Sequence, residues 1–329
     1  MKLTTSQSLG LDLIRGLSAQ MVLAGHAYSM AWGHHLPIPI QNFGVLSFFV
    51  LSGFLVTRSV VNKPGTYRFG DYLVDRGTRI FVPYIPAIAF VVIFGFAFDL
   101  GGVVDTRTLI ANLFMLETYP NFNGMLPEFP AIGTAGVFWS VAMEWWIYMG
   151  MATFFFFKRW PIWSVVLIVP GLYVLLNNVV IGIFGIVWLI GAAGVFVVPR
   201  LSEGYRWHSI ALVLLIVCAL RLRFVQGNVS DLKFMVLYCA FFFSAIKAIA
   251  NYKWNYSIAE PVKFVAGYSY TLYLTHYTVI VTINKVLSGT DFVILSVIVA
   301  NIVAIVMWFA FERHYPAITR RMHTALAKA

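Results

Sequence analysis

Apolar residues occur along this chain in long runs that are separated by short polar or basic stretches. A run of about 20 mostly apolar residues can cross the hydrocarbon core of a bilayer as a helix. Ten runs approach or reach that length. They cover residues 11–31, 43–62, 79–98, 137–157, 162–177, 179–198, 207–225, 232–250, 263–286 and 291–313. The pattern predicts an all-α, polytopic membrane protein with about ten transmembrane helices.

Composition and charge agree with this class. Of the 329 residues, 60% are hydrophobic and 11% are charged, whereas soluble domains carry about 25% charged residues. The net charge is +10, and most Lys and Arg residues fall in the loops on the side of both termini. The positive-inside rule therefore predicts that both termini are cytoplasmic. The exception is the basic stretch from Arg221 to Lys233, where either an anionic partner is present or the predicted boundaries are wrong. No nucleic-acid partner is predicted.

The ends of the chain indicate one domain. The N-terminus lacks the features of a cleavable signal peptide, and the last apolar run ends near Phe311, before a short basic tail. We therefore expect a single integral-membrane domain over residues 1–329, without a soluble domain. The longest loop, residues 99–136, is predicted to lie outside. It is either a lid that contacts substrate or a mobile surface loop.

The first apolar run contains Asp12, Arg15 and His26, and the last two are the candidates for chemistry. On a helix they are about 20° from alignment and about 16 Å apart along the axis. Ionisable groups within a membrane span usually face a cavity or a path, and an imidazole can act as a general base at neutral pH. The alternative is a histidine that only forms a hydrogen bond to a neighbouring helix.

A second cluster lies in the fourth run. Ser140, Glu144 and Tyr148 recur every four residues, so they form one polar stripe on an otherwise apolar helix, and Trp139 adjoins it. A buried carboxylate could orient an imidazole or bind sugar hydroxyls. A structural ion pair or interhelical hydrogen bond is the alternative reading.

Three further groups of charged or ionisable residues lie within or at the ends of the predicted spans. Arg76 and Arg79 share a helix face at the predicted cytoplasmic mouth of the third span, where they could bind phosphate or simply anchor the interface. His276 is a second histidine within a span. Glu312 and Arg313 close the last span, most simply as an interfacial ion pair. No metal-binding pattern is present.

Taken together, these segments resemble the membrane acyltransferase-3 family of bacterial O-acyltransferases. The matching pieces occur in the order of the family and extend over nearly the whole chain. They are Arg15 with His26, Phe48–Leu55, Arg76 and Arg79 with Pro83, Trp139-Ser140 with Glu144 and Tyr148, Tyr268–His276, and Phe311-Glu312-Arg313. Arg313 is followed by His314-Tyr315-Pro316 instead of directly by proline, a minor departure.

The resemblance implies a ten-helix enzyme of the bacterial cytoplasmic (inner) membrane. It would transfer an acyl group, in its leading form acetyl, from acyl-CoA on the cytoplasmic side to a sugar hydroxyl of a cell-envelope or secreted glycan. Acyl-CoA is then a co-substrate and no cofactor is bound permanently. The partners are acyl-CoA, the glycan or glycolipid acceptor and the bilayer, and a homo-oligomer is compatible with the sequence.

The same reading assigns a role to each candidate residue. His26 and Glu144 are the catalytic pair, with His26 as base. Arg15, Arg76 and Arg79 bind acyl-CoA. The acceptor or the thioester is positioned by Ser140, Tyr148, Trp139 and His276. Intramembrane charges and a basic inner mouth also fit the competing prediction, a secondary transporter or flippase of a glycan or glycolipid.

Overall fold

The computed structural model describes residues 3–36, 38–117, 128–156, 166, 179–201, 204–225, 228, 231–250, 252 and 254–328. Helices, turns and loops account for these residues, and none of them lies in a β-strand, so the all-α class is confirmed. Five stretches of this part of the chain are long and apolar enough to cross a membrane. They are Ile40–Val61, Phe69–Ala97, Arg206–Phe224, Leu232–Ile249 and Gly289–Ala327.

The chain is therefore an integral membrane protein. The number of ten spans and the location of the termini stay predictions, and the fifth predicted span, 162–177, lies outside the described residues except for Val166. The helices are α1 (Thr5–Trp32), α2 (Ile40–Val61), α3 (Phe69–Ala97), α4 (Thr106–Leu113), α5 (Phe138–Phe156), α6 (Val179–Val197), α7 (Arg206–Phe224), α8 (Leu232–Ile249), α9 (Tyr256–Asn284), α10 (Gly289–Ala310) and α11 (Tyr315–Lys328). Short 3₁₀ turns cover Val198–Arg200 and Glu312–His314.

Polar caps extend two helices beyond their apolar runs. Before α1, the Thr4 hydroxyl accepts a hydrogen bond from the Gln7 amide at 3.1 Å, and the Gln7 side chain accepts one from the Thr4 amide at 3.0 Å. Before α3, the Asp71 carboxylate accepts the Arg68 amide at 2.8 Å. These bonds satisfy amides that the first helical turn leaves unpaired. As a result α3 begins ten residues before the predicted run, and Arg76 and Arg79 lie within the helix.

The basic C-terminal tail is helical, which the apolar pattern did not predict. Helix α11 packs against α3 through a hydrogen bond between the Thr319 and Thr78 hydroxyls, 2.7 Å apart. One turn further along, His323 Nε2 lies 2.8 Å from an oxygen of Asp75. Because residue numbers rise along α11 while they fall along α3, the two helices are antiparallel.

The described helices belong to two compact units that alternate along the chain. The first unit contains Met1–Lys63 and Ile183–Ser269, and the second contains Pro64–Gly182 and Tyr270–Ala329. Within the first unit the helices approach closely at glycines. A side chain at Gly53 of α2 would lie 2.0 Å from the Trp188 carbonyl of α6, so the two backbones touch there. Next to it, the Trp188 indole donates to the Ser52 hydroxyl at 3.0 Å.

The basic stretch after α7 has its anionic partner within the chain. Arg221 donates two hydrogen bonds to Asp231, of 2.9 and 2.8 Å, and these bonds lower the pKa of that carboxyl below its usual value. Asp231 also caps α8 by accepting the Phe234 amide at 2.8 Å. Part of the apparent exception to the positive-inside rule is thus explained by a bidentate ion pair that joins the end of α7 to the start of α8.

The described part of the 98–137 segment is held by hydrogen bonds. The Asn112 side chain at the end of α4 donates to the Pro130 carbonyl at 2.9 Å and accepts the Ile132 amide at 3.0 Å. Gly133 donates to the Val103 carbonyl at 2.9 Å. The segment therefore folds back on itself around α4.

Candidate active site

The polar face of α1 lies in the first unit. Arg15 pairs with Asp12, one turn earlier, at 2.7 Å. His26 lies three turns further along and is half-buried. The preceding residue, Gly25, has no side chain, and a Cβ there would lie 2.5 Å from the amide oxygen of Gln41 in α2. Gly25 thus allows a polar residue of α2 to approach the backbone beside His26.

Gln41 makes this part of the first unit polar. It is buried, at 3% exposure, and its side-chain nitrogen lies 3.0 Å from His35 Nδ1. Its amide oxygen is buried and accepts no hydrogen bond from the residues that the structure describes. A buried acceptor of this kind costs free energy unless water or a ligand completes it. An unsatisfied oxygen therefore lies against Gly25, the residue that precedes His26.

The polar stripe of α5 lies in the second unit, and its helix is confirmed. The Tyr148 hydroxyl donates to Glu144 Oε1 at 2.5 Å. One turn before Glu144, the Ser140 hydroxyl donates to the Val137 carbonyl at 2.9 Å and lies 2.6 Å from the hydroxyl of Tyr273 in α9. The stripe therefore contains two hydrogen-bonded pairs, Tyr148 with Glu144 and Ser140 with Tyr273, and the second pair reaches α9.

Arg79 and Glu312 form an ion pair in the same unit, with 2.8 Å between nitrogen and oxygen. The second oxygen of Glu312 accepts the hydroxyl and the amide of Thr271, at 2.6 and 3.2 Å. The Arg79 guanidinium also lies over the rings of Tyr270 and Tyr315, 5.5 and 5.0 Å from their centroids. Glu312 thus joins α3 to α9.

The predicted pairing of Glu312 with Arg313 is wrong. Glu312 points inward to Arg79, whereas Arg313 is exposed and lies over the ring of Phe309, 5.0 Å from its centroid. The physical reason is that Glu312 begins a 3₁₀ turn. The turn places neighbouring side chains on different sides, so the buried carboxylate takes a distant cation.

The remaining predicted residues lie close to this network. Arg76 lies over the ring of Tyr148, 6.0 Å from its centroid, and Trp139 is half-buried beside Ser140. His276 is fully buried, and its Nδ1 lies 3.1 and 2.8 Å from the carbonyls of Leu272 and Tyr273. Because both partners are acceptors, Nδ1 carries the proton and Nε2 is the accepting nitrogen.

The sequence did not single out Glu117, which is a buried carboxyl of the 98–137 segment. It is 0% exposed, and the hydroxyl of Tyr84 in α3 donates to its Oε1 at 2.8 Å. Its Oε2 is buried and has no hydrogen-bond partner in the described part of the chain. Burial raises the pKa of Glu117 to about 8, because a charged carboxylate loses its hydration there. The available signal was a lone carboxyl directly after the apolar Leu113–Leu116.

The two units thus hold different parts of the predicted site. Arg15 and His26 belong to the first, and the α5 stripe, Arg76, Arg79 and His276 belong to the second. The predicted relationship between His26 and Glu144 stays a prediction. Among the described residues, no group of three or more His, Cys, Asp or Glu side chains could hold a metal ion.

The fold and the geometry of the site define a class of protein: an all-helical membrane protein with buried ionisable groups on its apolar helices. The chain belongs to the acyltransferase-3 family: residues 8–313 match the family's acyltransferase domain. Neither a curated protein nor a solved structure matches the chain. The matched range includes every motif from Arg15 to Arg313 on which the resemblance rests.

Proposed function

We propose that this protein is an acyl-CoA-dependent O-acyltransferase, in its leading form an O-acetyltransferase, that modifies a sugar hydroxyl of a cell-envelope or secreted glycan. Membership of the acyltransferase family supports the transfer of an acyl group. The donor, the acceptor and the location in the bacterial cytoplasmic membrane are parts of the proposal, with the donor entering from the cytoplasmic side.

The observation that carries the proposal is the hydrogen-bonded stripe of α5. Glu144, Tyr148 and Ser140 lie on a helix that is otherwise almost entirely apolar, and the stripe continues to Tyr273 of α9. Polar groups within a membrane protein are costly and usually serve a reaction or a passage. Hydroxyl and carboxylate groups in a row suit recognition of a hydroxylated acceptor or of a thioester carbonyl.

His26 is the proposed general base. The acceptor hydroxyl oxygen attacks the thioester carbonyl carbon while its proton passes to the His26 imidazole. The carbon–sulfur bond then breaks, and the coenzyme thiolate leaves and takes a proton from the imidazolium. A positioned base of this kind contributes roughly 10²–10⁴ in rate. Gln41 supplies a polar side chain against Gly25, the residue before His26.

The α5 stripe has the positioning role in the proposal. Glu144 orients the imidazole or the acceptor, and Ser140, Tyr148, Trp139 and His276 position the acceptor or the thioester. The accepting nitrogen of His276 suits a hydroxyl donor. Within the second unit, Tyr148 donates to Glu144, Ser140 lies against the Tyr273 hydroxyl, and His276 faces two backbone carbonyls.

The arginines form the donor side of the proposal. Arg76 is the principal contact for the coenzyme phosphates, since a guanidinium matches phosphate geometry well. Arg79 already pairs with Glu312, so its part in donor binding is to hold the segment of α3 that carries Arg76. Arg15 contacts the part of the coenzyme that extends towards the thioester.

The test uses the purified full-length protein in detergent with labelled acetyl-CoA and envelope glycan as acceptor. We expect label in the glycan, and a loss of at least 100-fold in kcat/KM for His26→Ala, in line with the loss of a general base. His208→Ala is the matched control because His208 is exposed; its activity should match the wild type. A folded His26→Ala protein with full activity would contradict the base assignment. The same protein reconstituted in lipid vesicles tests the alternative. Movement of glycan across the vesicle membrane without acyl transfer would favour a transporter instead.

A further inference from the structure

Helices α3 and α11 enclose an apolar groove in the second unit. It has a volume of about 370 Å³, and its lining includes Leu73, Gly77 and Phe81 of α3 and Ile318 and Met322 of α11. Ile85 and Met322 leave 51% and 44% of their surface exposed at this groove. The volume is within the range of small-ligand sites.

The two helices keep the groove open. The hydrogen bond between Thr78 and Thr319 and the contact between His323 and Asp75 hold α11 against one side of α3. Next to Thr78, Gly77 leaves a gap, since a Cβ at that position would meet no atom of the described residues within 4 Å. The groove is therefore bounded by packed helices and floored by a residue without a side chain.

The charge on α11 is arranged around this groove. The helix carries Arg320, Arg321 and His323 and contains no Asp or Glu. Around the helix axis, Arg321 lies about 80° from the midpoint between Ile318 and Met322, whereas Arg320 lies about 180° from it. Arg321 is therefore on the face of α11 adjacent to the groove-lining Ile318 and Met322, and Arg320 is on the opposite face. Both arginines are exposed, and neither forms an ion pair within the described part of the chain.

We infer that this groove is a binding site for one anionic phospholipid. One acyl chain lies between α3 and α11 along Leu73, Gly77 and Phe81, and the headgroup phosphate contacts Arg321. An apolar channel on a membrane helix suits an acyl chain, and a basic residue at the edge of an amphipathic helix attracts anionic headgroups. The lipid would fix α11 to α3, the helix that carries Arg76 and Arg79.

The test measures lipid binding to the delipidated full-length protein in detergent by native mass spectrometry. The probes are phosphatidylglycerol and phosphatidylcholine at equal concentration. We expect one tightly bound phosphatidylglycerol on the wild type and weaker phosphatidylcholine binding. Arg321→Gln should bind phosphatidylglycerol about fivefold more weakly, and the matched control Arg320→Gln should bind it like the wild type. Equal loss in both arginine variants would overturn the site.

A second pair of variants tests the groove from its two walls. Gly77→Leu and Ile318→Trp each fill it, and both should lose the bound phosphatidylglycerol while their unfolding temperature stays within a few degrees of the wild type. If either folded variant retains the lipid at wild-type affinity, the acyl chain does not lie in the groove. Displacement of the lipid by acetyl-CoA at equal concentration would assign the groove to the acyl donor and overturn the inference.

Discussion

The guanidinium of Arg79 lies 2.8 Å from the carboxylate of Glu312, and the pair joins α3 to the turn that follows α10. Glu312 is 1% exposed and accepts two further hydrogen bonds from Thr271. Burial removes water from a carboxylate, and the attraction of a nearby cation offsets that free-energy cost. When the cation is removed, the cost is no longer offset. The pair therefore behaves as one structural unit.

Removal of Arg79 should destabilise the protein strongly. We expect Arg79→Ala to lower the free energy of unfolding by about 3 kcal/mol. This is the lower end of the range for breaking a buried ion pair, and it applies because the Arg79 side chain is 26% exposed. Combining it with Glu312→Gln should recover part of the loss, since the amide needs no counter-charge. Arg313→Ala is the control and should change stability by less than about 0.5 kcal/mol. Thermal unfolding in detergent measures all three, and an Arg79→Ala protein with wild-type stability would show that the pair is not an anchor.

Glu117 should make stability fall as the pH rises. Its pKa of about 8 in the fold exceeds the ordinary value of about 4.3, so the folded state binds a proton that the unfolded state has released at neutral pH. The contribution of the buried acid is complete below the ordinary pKa and is lost as the pH rises through 8. The total is a few kcal/mol, since one pKa unit corresponds to about 1.4 kcal/mol.

The measurement compares unfolding temperatures from pH 6 to pH 9. The wild type should lose several degrees over this range, whereas Glu117→Gln, which is neutral at every pH, should lose much less. Glu128→Gln is the control because Glu128 is an exposed carboxyl of the same segment, and its profile should follow the wild type. A Glu117→Gln profile as steep as that of the wild type would disprove this assignment.

Arg76 should affect binding of the donor more than the chemical step. We expect Arg76→Ala to raise the KM for acyl-CoA about tenfold, the loss of one charge-assisted contact, with kcat within about twofold of the wild type. Arg68→Ala is the control, since Arg68 is an exposed arginine just before the same helix, and its KM should not change. An unchanged KM in Arg76→Ala would remove that residue from the donor site.

A side chain at Gly53 should destabilise the protein. A Cβ there would lie 2.0 Å from the Trp188 carbonyl, so Gly53→Ala must separate α2 from α6 at a cost of about 1–3 kcal/mol. Gly95→Ala is the control, because a Cβ at Gly95 of α3 would have open space around it, with no atom of the described ranges within 4 Å. That variant should be neutral or slightly stabilising, as alanine favours helix over glycine. Equal unfolding temperatures for the two variants would show that α2 and α6 can separate freely.

The sequence predicted features that are local in the chain. Apolar runs identified the helices, and the four-residue spacing from Ser140 to Tyr148 placed the polar stripe on one face of α5. The start of α3 was misplaced because polar caps, and not hydropathy, determine it. The C-terminal helix was missed because its apolar side chains form a narrow face among basic residues.

Partners that are far apart in the chain could not be predicted in the same way. Ser140 and Tyr273 are separated by 133 residues and Arg79 and Glu312 by 233, and a periodic pattern shows which face a residue is on but not which helix it meets. Glu117 was overlooked for a related reason. Its burial depends on Tyr84 and on the way in which Asn112 folds the loop back, and neither is visible in the residues around it.

The alternation of the two units along the chain has a consequence for biogenesis. The contact of Gly53 with Trp188 joins segments of the first unit that are separated by residues 64–182, the whole of the first part of the second unit. At 5–20 residues per second the ribosome needs on the order of ten seconds to make that stretch. During this interval α1 and α2 have been synthesised, but the glycine face of α2 is not yet covered by α6. This is the stage of synthesis at which we expect a chaperone or the insertion machinery to shield that face.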